Sequence, residues 1–354
     1  MPVCDTIEQF YAAGHAADLA VVVSPIHWHV PQSLVALGHA SHVLCDKPLG
    51  ATVQEADALI DARDRAGRFV MIGYQWSFSD AIQALKRDIL AGAFGRKRRF
   101  SALCAWPRDL AYYRRNDWAG RLRDGATGRW VLDSPANNAM AHFLHNLLYL
   151  AGPAIPESAA PQGVQAEMYR AHDIESADTT ACRAHVRSGN EEVELLFFAS
   201  HATEAAIEPR FRLEFDDAVV TFGEQTRTIV ARSRAGREKD YGAPDDTPQF
   251  RKLFHAIALA GGNTGAPRQE AVVCGPEAAR AQTIVVNLMH DSAPGITQVP
   301  AAILCEDGAT GRRFARGLND ILERGYQQGR LPSELGVDWA VPGTVRMLTL
   351  QGGA

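Results

Sequence analysis

The sequence has few of the features that mark membrane, secreted or nucleic-acid-binding proteins. Its six cysteines are widely scattered and include no CxxC pair, which is typical of reduced thiols rather than of a disulfide framework. No uninterrupted apolar run reaches the roughly 18 residues of a membrane helix, and the first residues do not resemble a secretory signal. A net charge of −5 provides no basic excess for nucleic acid. We therefore expect a cytoplasmic protein without a membrane or nucleic-acid partner.

Short apolar runs and helical patterns alternate over the first part of the chain. Apolar runs typical of buried strands occupy 19–23, 42–45 and 69–72, and helical patterns occupy 6–17, 31–38 and 52–66. Strands that alternate with helices of this length predict a parallel sheet.

The pattern changes beyond residue 98. A helix is predicted over 137–150, and alternating stretches at 193–201, 211–222 and 228–234 predict an antiparallel sheet. The predicted class is α/β, with a partial Rossmann-like parallel sheet followed by an α+β domain with a mainly antiparallel open sheet. The predicted boundaries are 1–76 and 77–300, with a helical C-terminal tail over 301–354.

Polar residues follow each of the predicted parallel strands. Ser24 and Pro25 follow the first strand, and Asp46 and Lys47 follow the second, ahead of a proline. The carboxyl ends of parallel strands border the crevice in which such sheets bind ligands. Lys47 is therefore a candidate for ligand contact, although a lysine before a turn proline is usually a surface residue. Beyond the third strand, the crevice candidates are Gln75 and Trp76.

Several of these segments, in this order, resemble the Gfo/Idh/MocA family of sugar and inositol dehydrogenases. VVVSPIHWH resembles the family's strand, Thr/Ser-Pro and histidine element, and LCDKPLG resembles its Glu-Lys-Pro signature with Asp46 in place of glutamate. The resemblance continues through FVMIGYQWSFSDAIQALK, FGRKRRF, DSPANNAMAHFLHNLLYLAG and HDIESADTTACR, and covers most of residues 3–300.

The resemblance implies NAD or NADP as cofactor and assigns roles to several residues. Lys47 would hydrogen-bond the reacting hydroxyl, where a cation stabilises the developing oxyanion. Asp46 would contact the cofactor or orient Lys47. The implied cofactor-binding residues are Ser24, Pro25, His29, Asp46, Lys47 and Gln75, with Trp28 as a packing residue. In such proteins the outer face of the second-domain sheet often forms the dimer interface, so we expect a homo-oligomer through that sheet.

Asn138 and His142 are separated by four residues on the predicted helix and should share one face. The family pattern has aspartate and histidine at these positions, with the histidine as proton acceptor. An amide can orient an imidazole but cannot stabilise imidazolium by charge, so His142 would be a weaker base here or the proton route would differ. His142 could instead be a hydrogen-bonded core histidine. His145 stands where the family often has aspartate, and alone it carries no assignment.

The segment WPRDLAYYRRNDWAG, residues 106–120, is rich in aromatic and guanidinium groups. Aromatic faces and forked donors suit a polyhydroxylated ring, and the predicted substrate residues are Tyr113, Arg115, Asn116 and Trp118. A loop packed by its own aromatics would give the same pattern.

The chain contains no GxGxxG, the turn that brings a helix N-terminus to the pyrophosphate of a dinucleotide. By the family pattern, residues 2–4 correspond to the segment just before the third strand, so roughly 50 to 60 residues would precede Met1. The two explanations are a start assigned at an internal methionine, which we expect, and a true loss of half the cofactor site.

We therefore predict an NAD(P)-dependent oxidoreductase that transfers a hydride between nicotinamide and a secondary alcohol or ketone of a sugar or cyclitol. The catalytic residues would be Lys47, His142 and Asn138, without a metal. A catalytically silent sensor or binding protein on the same scaffold is the alternative, favoured by Asn138 and by the missing glycine-rich turn. A zinc hydrolase using His27 and His29 is a third possibility, but it needs a (β/α)₈ context that the pattern does not show.

Overall fold

The computed structural model describes residues 3–244, 250–262 and 272–349. Its helices are α1 (Ile7–Ala12), α2 (Ile26–Gly38), α3 (Val53–Ala66), α4 (Asp80–Leu90), α5 (Leu110–Arg114), α6 (Ala141–Ala151), α7 (Arg251–Ala260), α8 (Pro276–Ser292) and α9 (Leu318–Gln328). Its strands are β1 (Leu19–Val22), β2 (His42–Cys45), β3 (Val70–Ile72), β4 (Lys97–Ala105), β5 (Ala160–Arg170), β6 (Thr179–Ser188), β7 (Glu191–Ser200), β8 (Ile207–Phe215), β9 (Ala218–Phe222), β10 (Val230–Ser233), β11 (Glu238–Asp240), β12 (Thr297–Gln298), β13 (Leu304–Asp307), β14 (Arg312–Ala315) and β15 (Arg346–Met347).

The first three strands form a small parallel sheet in the order β1-β2-β3. All residues of β2 and β3 are buried, as expected for short apolar strands covered on both faces. Helix α3, which connects β2 to β3, begins with a capping box between Thr52 and Glu55 and ends at Gly67, whose φ is 59°. The side-chain cap and the left-handed C-terminal glycine explain why this helix starts and stops there.

The large sheet has the order β11-β10-β9-β8-β4-β7-β6-β5-β12, and β15 also pairs with β5. Its pairs are antiparallel except for β4 with β7 and β5 with β12. A small parallel sheet followed by a large, mostly antiparallel one confirms the predicted fold class. The predicted strand over 211–222 is in fact β8 and β9, because the chain reverses at Asp216 and Asp217.

Residues 250–292 pack against both sheets where the structure describes them. Helix α7 contacts β1 and β2, and α8 contacts α3 and β3 as well as β5. Ahead of α8, the carbonyl of Cys274 accepts a hydrogen bond of 2.9 Å from the amide of Ile72 in β3. The boundaries at 76 and 300 remain a prediction; α7 contacts strands of the small sheet, and α8 contacts strands of both sheets.

The chain's own C-terminal segment covers one face of the large sheet. Helices α6 and α8 pack on one face, and α9 packs on the opposite face against β4 and β7. We call this opposite face the outer face. Its buried apolar residues include Leu103, Leu196 and Phe198 from the strands, packed with Leu318 and Leu322 from α9. Self-association through the sheet remains a prediction, and it would have to use surface that α9 leaves free.

Among the residues that the structure describes, no helix is both long and apolar enough to cross a membrane.

Candidate active site

The carboxyl ends of the three parallel strands place Ser24, Asp46 and Gln75 along one edge of the small sheet. We call this the carboxyl edge. Ser24 follows β1, Asp46 directly follows β2, and Gln75 begins a short 3₁₀ helix after β3. The hydroxyl oxygen of Ser24 is buried and has no hydrogen-bond partner among the described residues. An unpartnered hydroxyl at this edge is available to a ligand.

His29 joins the loops that follow β1 and β2. Its Nδ1 lies 2.6 Å from the carbonyl oxygen of Pro48, and its Nε2 lies 2.8 Å from that of Ser24. The side chain is buried, and burial lowers its pKa although both carbonyl contacts raise it. Both ring nitrogens of His29 therefore face backbone carbonyl oxygens and hold the two loops together, and its contact with a cofactor stays a prediction.

Lys47 is held by a residue far away in the sequence. Its Nζ donates to the carbonyl oxygen of Asn138 at 2.7 Å and to the side-chain Oδ1 of the same residue at 3.2 Å. The Lys47–Pro48 peptide bond is cis. Burial lowers the pKa of Lys47 from its usual 10.5, while the neighbouring carboxylates of Asp46 and Asp133 raise it. Lys47 and Asn138 are therefore hydrogen-bonded to each other, and their catalytic role stays a prediction.

Asn138 does not lie on the helix that carries His142, so the predicted shared helical face is wrong. Helix α6 starts at Ala141, and residues 135–140 form turns. The Asn138 carbonyl accepts from the amide of Ala141 at 3.3 Å and from Lys47. Because this carbonyl is turned toward the ammonium, it does not start the regular i to i+4 ladder.

Behind Asn138 lies a buried carboxylate that the sequence-based reasoning did not single out. Asn138 Nδ2 donates to Oδ1 of Asp133 at 2.7 Å, and the amide of Gly120 donates to Oδ2 at 2.6 Å. Asp133 is 4% exposed. Burial raises its pKa, and the hydrogen bonds from Gly120 and Asn138 lower it. Lys47, Asn138 and Asp133 thus form one hydrogen-bonded series.

Asp46 is paired with a second lysine, which the sequence also did not reveal. Lys252 of α7 places its Nζ 2.6 Å from Oδ1 of Asp46 and 3.2 Å from the carbonyl oxygen of Gly73. A Cβ at Gly73 would lie 2.7 Å from the Lys252 Nζ and 2.8 Å from the Asp46 carboxylate. The absence of a side chain at Gly73 therefore makes room for this ion pair.

His142 lines a cavity of about 480 Å³ between the carboxyl edge and the large sheet. Its Nδ1 has no hydrogen-bond partner among the described residues. Burial lowers the pKa of His142 well below its usual value, and the charge of Lys47 lowers it further. The imidazole is therefore neutral near pH 7 and able to accept a proton. Besides His142, the cavity is lined by Gln75, Trp76, Trp106, Phe143, Glu208, Pro209, Phe222, Gly223, Glu224, Gln225, Thr226 and Arg227.

His145 belongs to the core and not to this cavity. Its ring stacks on Tyr74 at a centroid distance of 3.9 Å, and its Nε2 lies 3.1 Å from the hydroxyl of Ser77. Complete burial lowers its pKa to about 3.

The four predicted substrate residues do not converge on the cavity of His142. Tyr113 and Asn116 line a separate cavity of about 640 Å³. The side chain of Asn116 caps its own turn by accepting from the amides of Trp118 and Ala119. Arg115 lies 3.7 Å above the ring of Tyr112, and its charge acts on both Lys47 and Asp133. Of the four, Arg115 has the clearest electrostatic link to the site.

His27 and His29 are not arranged as a metal site. His27 Nε2 lies 3.8 Å from a carboxylate oxygen of Asp124, and both nitrogens of His29 face carbonyl oxygens. The described part of the chain has no cluster of three or more His, Cys, Asp or Glu side chains suited to a metal ion.

Comparison with known proteins agrees with this arrangement. The family model for the Gfo/Idh/MocA oxidoreductase family, NAD-binding Rossmann fold, matches residues 1–74. The scyllo-inositol 2-dehydrogenase (NADP(+)) IolU of Bacillus subtilis is 22% identical over 240 residues, which are 68% of this chain and 68% of that protein. Glucose-6-phosphate 3-dehydrogenase of the same species is 30% identical over 80 residues, 23% of each chain. The match to this second relative therefore spans about a quarter of its length.

Solved structures share the fold at low sequence identity. The WlbA dehydrogenase from Bordetella pertussis, determined with NADH and UDP-GlcNAcA, superposes with a TM-score of 0.61 at 19% identity, covering 81% of this chain and 80% of that one. The aldose-aldose oxidoreductase from Caulobacter crescentus, complexed with glycerol, gives a TM-score of 0.58 at 21% identity, covering 78% and 76%. Residues 1–74 thus match the Gfo/Idh/MocA oxidoreductase family model, and over most of its length the chain is similar in sequence to one dehydrogenase and in fold to others.

Proposed function

We propose that this chain is an NAD(P)-dependent oxidoreductase acting on a secondary alcohol or ketone of a sugar or cyclitol. The observation that carries the proposal is the placement of Lys47 and His142. The Nζ of Lys47 donates to the carbonyl oxygen of Asn138 at 2.7 Å. His142, four residues after Asn138, lines a cavity beside the carboxyl edge. Lys47 is not one of the residues that line this cavity, but its charge acts on His142, which is. A cation close to a neutral base provides the two groups that alcohol oxidation requires from a protein.

The cavity suits a small polyhydroxylated ring. Its volume of about 480 Å³ lies within the range of small-molecule sites. Aromatic walls from Trp76, Trp106 and Phe222 offer faces for the C–H side of a sugar, and Glu208 and Glu224 offer acceptors for hydroxyl groups. The named activities of the curated relatives, on an inositol and on a sugar phosphate, support this substrate class.

The residues of the carboxyl edge fit a nicotinamide cofactor, NAD or NADP. Ser24 offers an unpartnered buried hydroxyl, and Asp46 and Gln75 follow the neighbouring strands at the same edge. The cofactor would supply the hydride acceptor in alcohol oxidation and the hydride donor in ketone reduction. The side chains that would hold it are Ser24, Asp46 and Gln75, with Pro25 lining the same loop and His29 fixing that loop from behind.

Three residues of the chain would stabilise the reacting oxygen, accept the proton and position the lysine. The ammonium of Lys47 donates a hydrogen bond to the reacting oxygen and stabilises the negative charge that develops there. His142, neutral because burial lowers its pKa, accepts the hydroxyl proton at its imidazole in oxidation. Asn138 holds Lys47 through its carbonyl and side-chain oxygens.

The test is a titration of NADH and NADPH followed by protein fluorescence, and then a screen of sugars and cyclitols for turnover. Lys47→Ala should lower turnover by roughly two to four orders of magnitude, because it removes oxyanion stabilisation, while leaving cofactor affinity largely intact. Lys239→Ala is the control, since Lys239 is exposed and pairs with Asp88 away from the cavity. Unchanged turnover in Lys47→Ala would remove Lys47 from the mechanism.

A catalytically silent binding protein is the second candidate. Asn138 stands at the position of the family's aspartate, and the lowered pKa of His142 makes its protonated form unfavourable. Such a protein would bind a sugar or cofactor in the fluorescence titration and give no turnover with any substrate of the screen. Turnover that depends on Lys47 would exclude it.

A further inference from the structure

We propose that Asp133 is a positioning residue of this site: through Asn138, it fixes the Lys47 ammonium and contributes to the negative charge that balances it. The sequence pattern assigns no role to Asp133. In this chain the carboxylate lies five residues before the asparagine, and the asparagine side chain bridges the carboxylate to the lysine. The inference rests on the proposed function only for its effect on turnover.

The orientation of the Asn138 amide is determined by its two neighbours. Its Oδ1 accepts from the ammonium of Lys47 at 3.2 Å, and its Nδ2 donates to Asp133 at 2.7 Å. A flipped amide would place its N–H groups against the ammonium and its oxygen against the carboxylate. Both contacts would then be repulsive, so the donor and acceptor inventory allows one orientation.

The geometry also requires Asp133 to act as an acceptor at both oxygens. Oδ1 receives the Asn138 N–H and Oδ2 receives the backbone N–H of Gly120. A protonated carboxyl group would need an acceptor for its own proton and would lose one of these bonds, so the pattern fits the ionised form. A buried ionised carboxylate needs compensating charge, which Arg115 and Lys47 provide.

Of the two carboxylates that raise the pKa of Lys47, Asp46 has the larger effect, but Asp133 is the one joined to Lys47 through the Asn138 side chain. Asp46 is closer to Lys47 in sequence, but one of its oxygens is bound to Lys252 at 2.6 Å. Asp133 is 4% exposed and is therefore little screened by solvent. Its charge can reach Lys47 through the bridging amide, which transmits it as an oriented dipole.

The experiment measures the protonation of Lys47 directly and needs no substrate. The chain has five lysines, so selective ¹³Cε labelling gives five NMR signals, and Lys47→Arg identifies the Lys47 signal by its loss. Asp133→Asn should move the titration midpoint of Lys47 to lower pH, because a stabilising negative charge is removed. Asp124→Asn is the matched control: Asp124 is also a buried loop carboxylate, but it caps its own turn at Thr127.

A charge-swapped variant separates positioning from folding. In Asp133→Asn combined with Asn138→Asp, the hydrogen bond between the two side chains is kept with its direction reversed, and the carboxylate moves next to Lys47. The midpoint of Lys47 should then rise above that of the wild type. Once a substrate with measurable turnover is known, Asp133→Asn should also lower kcat about tenfold with little change in KM. The charge-swapped variant should restore part of this loss.

The inference would be overturned if Lys47 had the same titration midpoint in the wild type, in Asp133→Asn and in the charge-swapped variant, with unchanged circular dichroism. That result would leave the proposed function intact. Shifted midpoints in a protein without any turnover would instead support the inference while the proposed function fails.

Discussion

At the scale of single residues, the site is defined by how two lysines and two aspartates are paired. Lys252 binds Asp46, and Lys47 reaches Asp133 through Asn138. Lys47 could be singled out because it is the second residue after a buried strand, in a recognisable motif. Lys252 and Asp133 could not, because they meet the motif only through the fold, 206 and 86 residues further along the chain.

The charge of Lys47 should control the alkaline side of the pH profile. Burial lowers its pKa below 10.5, so alcohol oxidation should decline at alkaline pH with a midpoint below that value as the ammonium is lost. No acidic limb should appear near pH 6.5, because the pKa of His142 lies well below that value. The measurement is kcat/KM against pH.

Lys47→Arg gives the comparison for this profile. Arginine keeps its charge to above about pH 12, so the alkaline limb should disappear even if turnover is lower. Lys239→Arg is the control: Lys239 is exposed, so this variant should retain the alkaline limb of the wild type. An identical limb in Lys47→Arg would assign the titration to another group.

At the scale of helices and strands, prediction succeeded where local signals are strong. The strand over 42–45 and the end of α3 at Ala66 were predicted as observed, because apolar residues, a capping box and a following glycine mark them. The start of α6 was missed by four residues. Nothing in the local sequence shows that the Asn138 carbonyl, three residues before the helix begins, is bound by Lys47.

The contact between α4 and α6 should make stability depend on pH through Lys86. This fully buried lysine donates to the carbonyls of Ile155 and Glu157 at 3.1 and 2.6 Å and lies 3.5 Å from the ring centroid of Tyr149. Burial lowers its pKa from 10.5 to about 7. Between these two values the unfolded chain holds a proton that the folded protein has released, so the free energy of unfolding rises with pH.

Lys86→Met removes this titration. The difference in unfolding free energy between the wild type and this variant should increase by roughly 2 kcal/mol in favour of the wild type from about pH 7.5 to 9.5. The reason is that one released proton changes this free energy by at most about 1.4 kcal/mol per pH unit. Urea denaturation at the two pH values measures the difference. A difference that is constant with pH would mean that Lys86 is not neutral in the folded protein.

At the scale of the whole molecule, α9 covers the part of the outer face that β4 and β7 form. The helix approaches so closely that a Cβ at Gly325 would lie 2.9 Å from the ring of Phe198 and 2.9 Å from the carbonyl oxygen of Arg330. The sequence predicted a helix in this region but not its place on the sheet, because the contacting residues are more than 100 positions apart.

Gly325→Ala should therefore destabilise the protein by about 1 to 3 kcal/mol, the usual cost of overpacking, although alanine is the better helix former. Gly38→Ala is the matched control at the end of α2, where nothing lies within 4 Å of an added Cβ. It should be neutral or stabilise by up to about 1 kcal/mol. Thermal denaturation compares the two, and stabilisation by both substitutions would show that α9 has room against the sheet.

The position of α8 between the two sheets has a consequence for how the protein unfolds. Helix α8 contacts α3 and β3 on one side and β5 on the other, and Cys274 accepts from Ile72. Unfolding of the small sheet would remove the contacts of α8 with α3 and β3, and the same helix packs against β5 of the large sheet. The two sheets should therefore melt together, in a single cooperative transition with equal calorimetric and van't Hoff enthalpies.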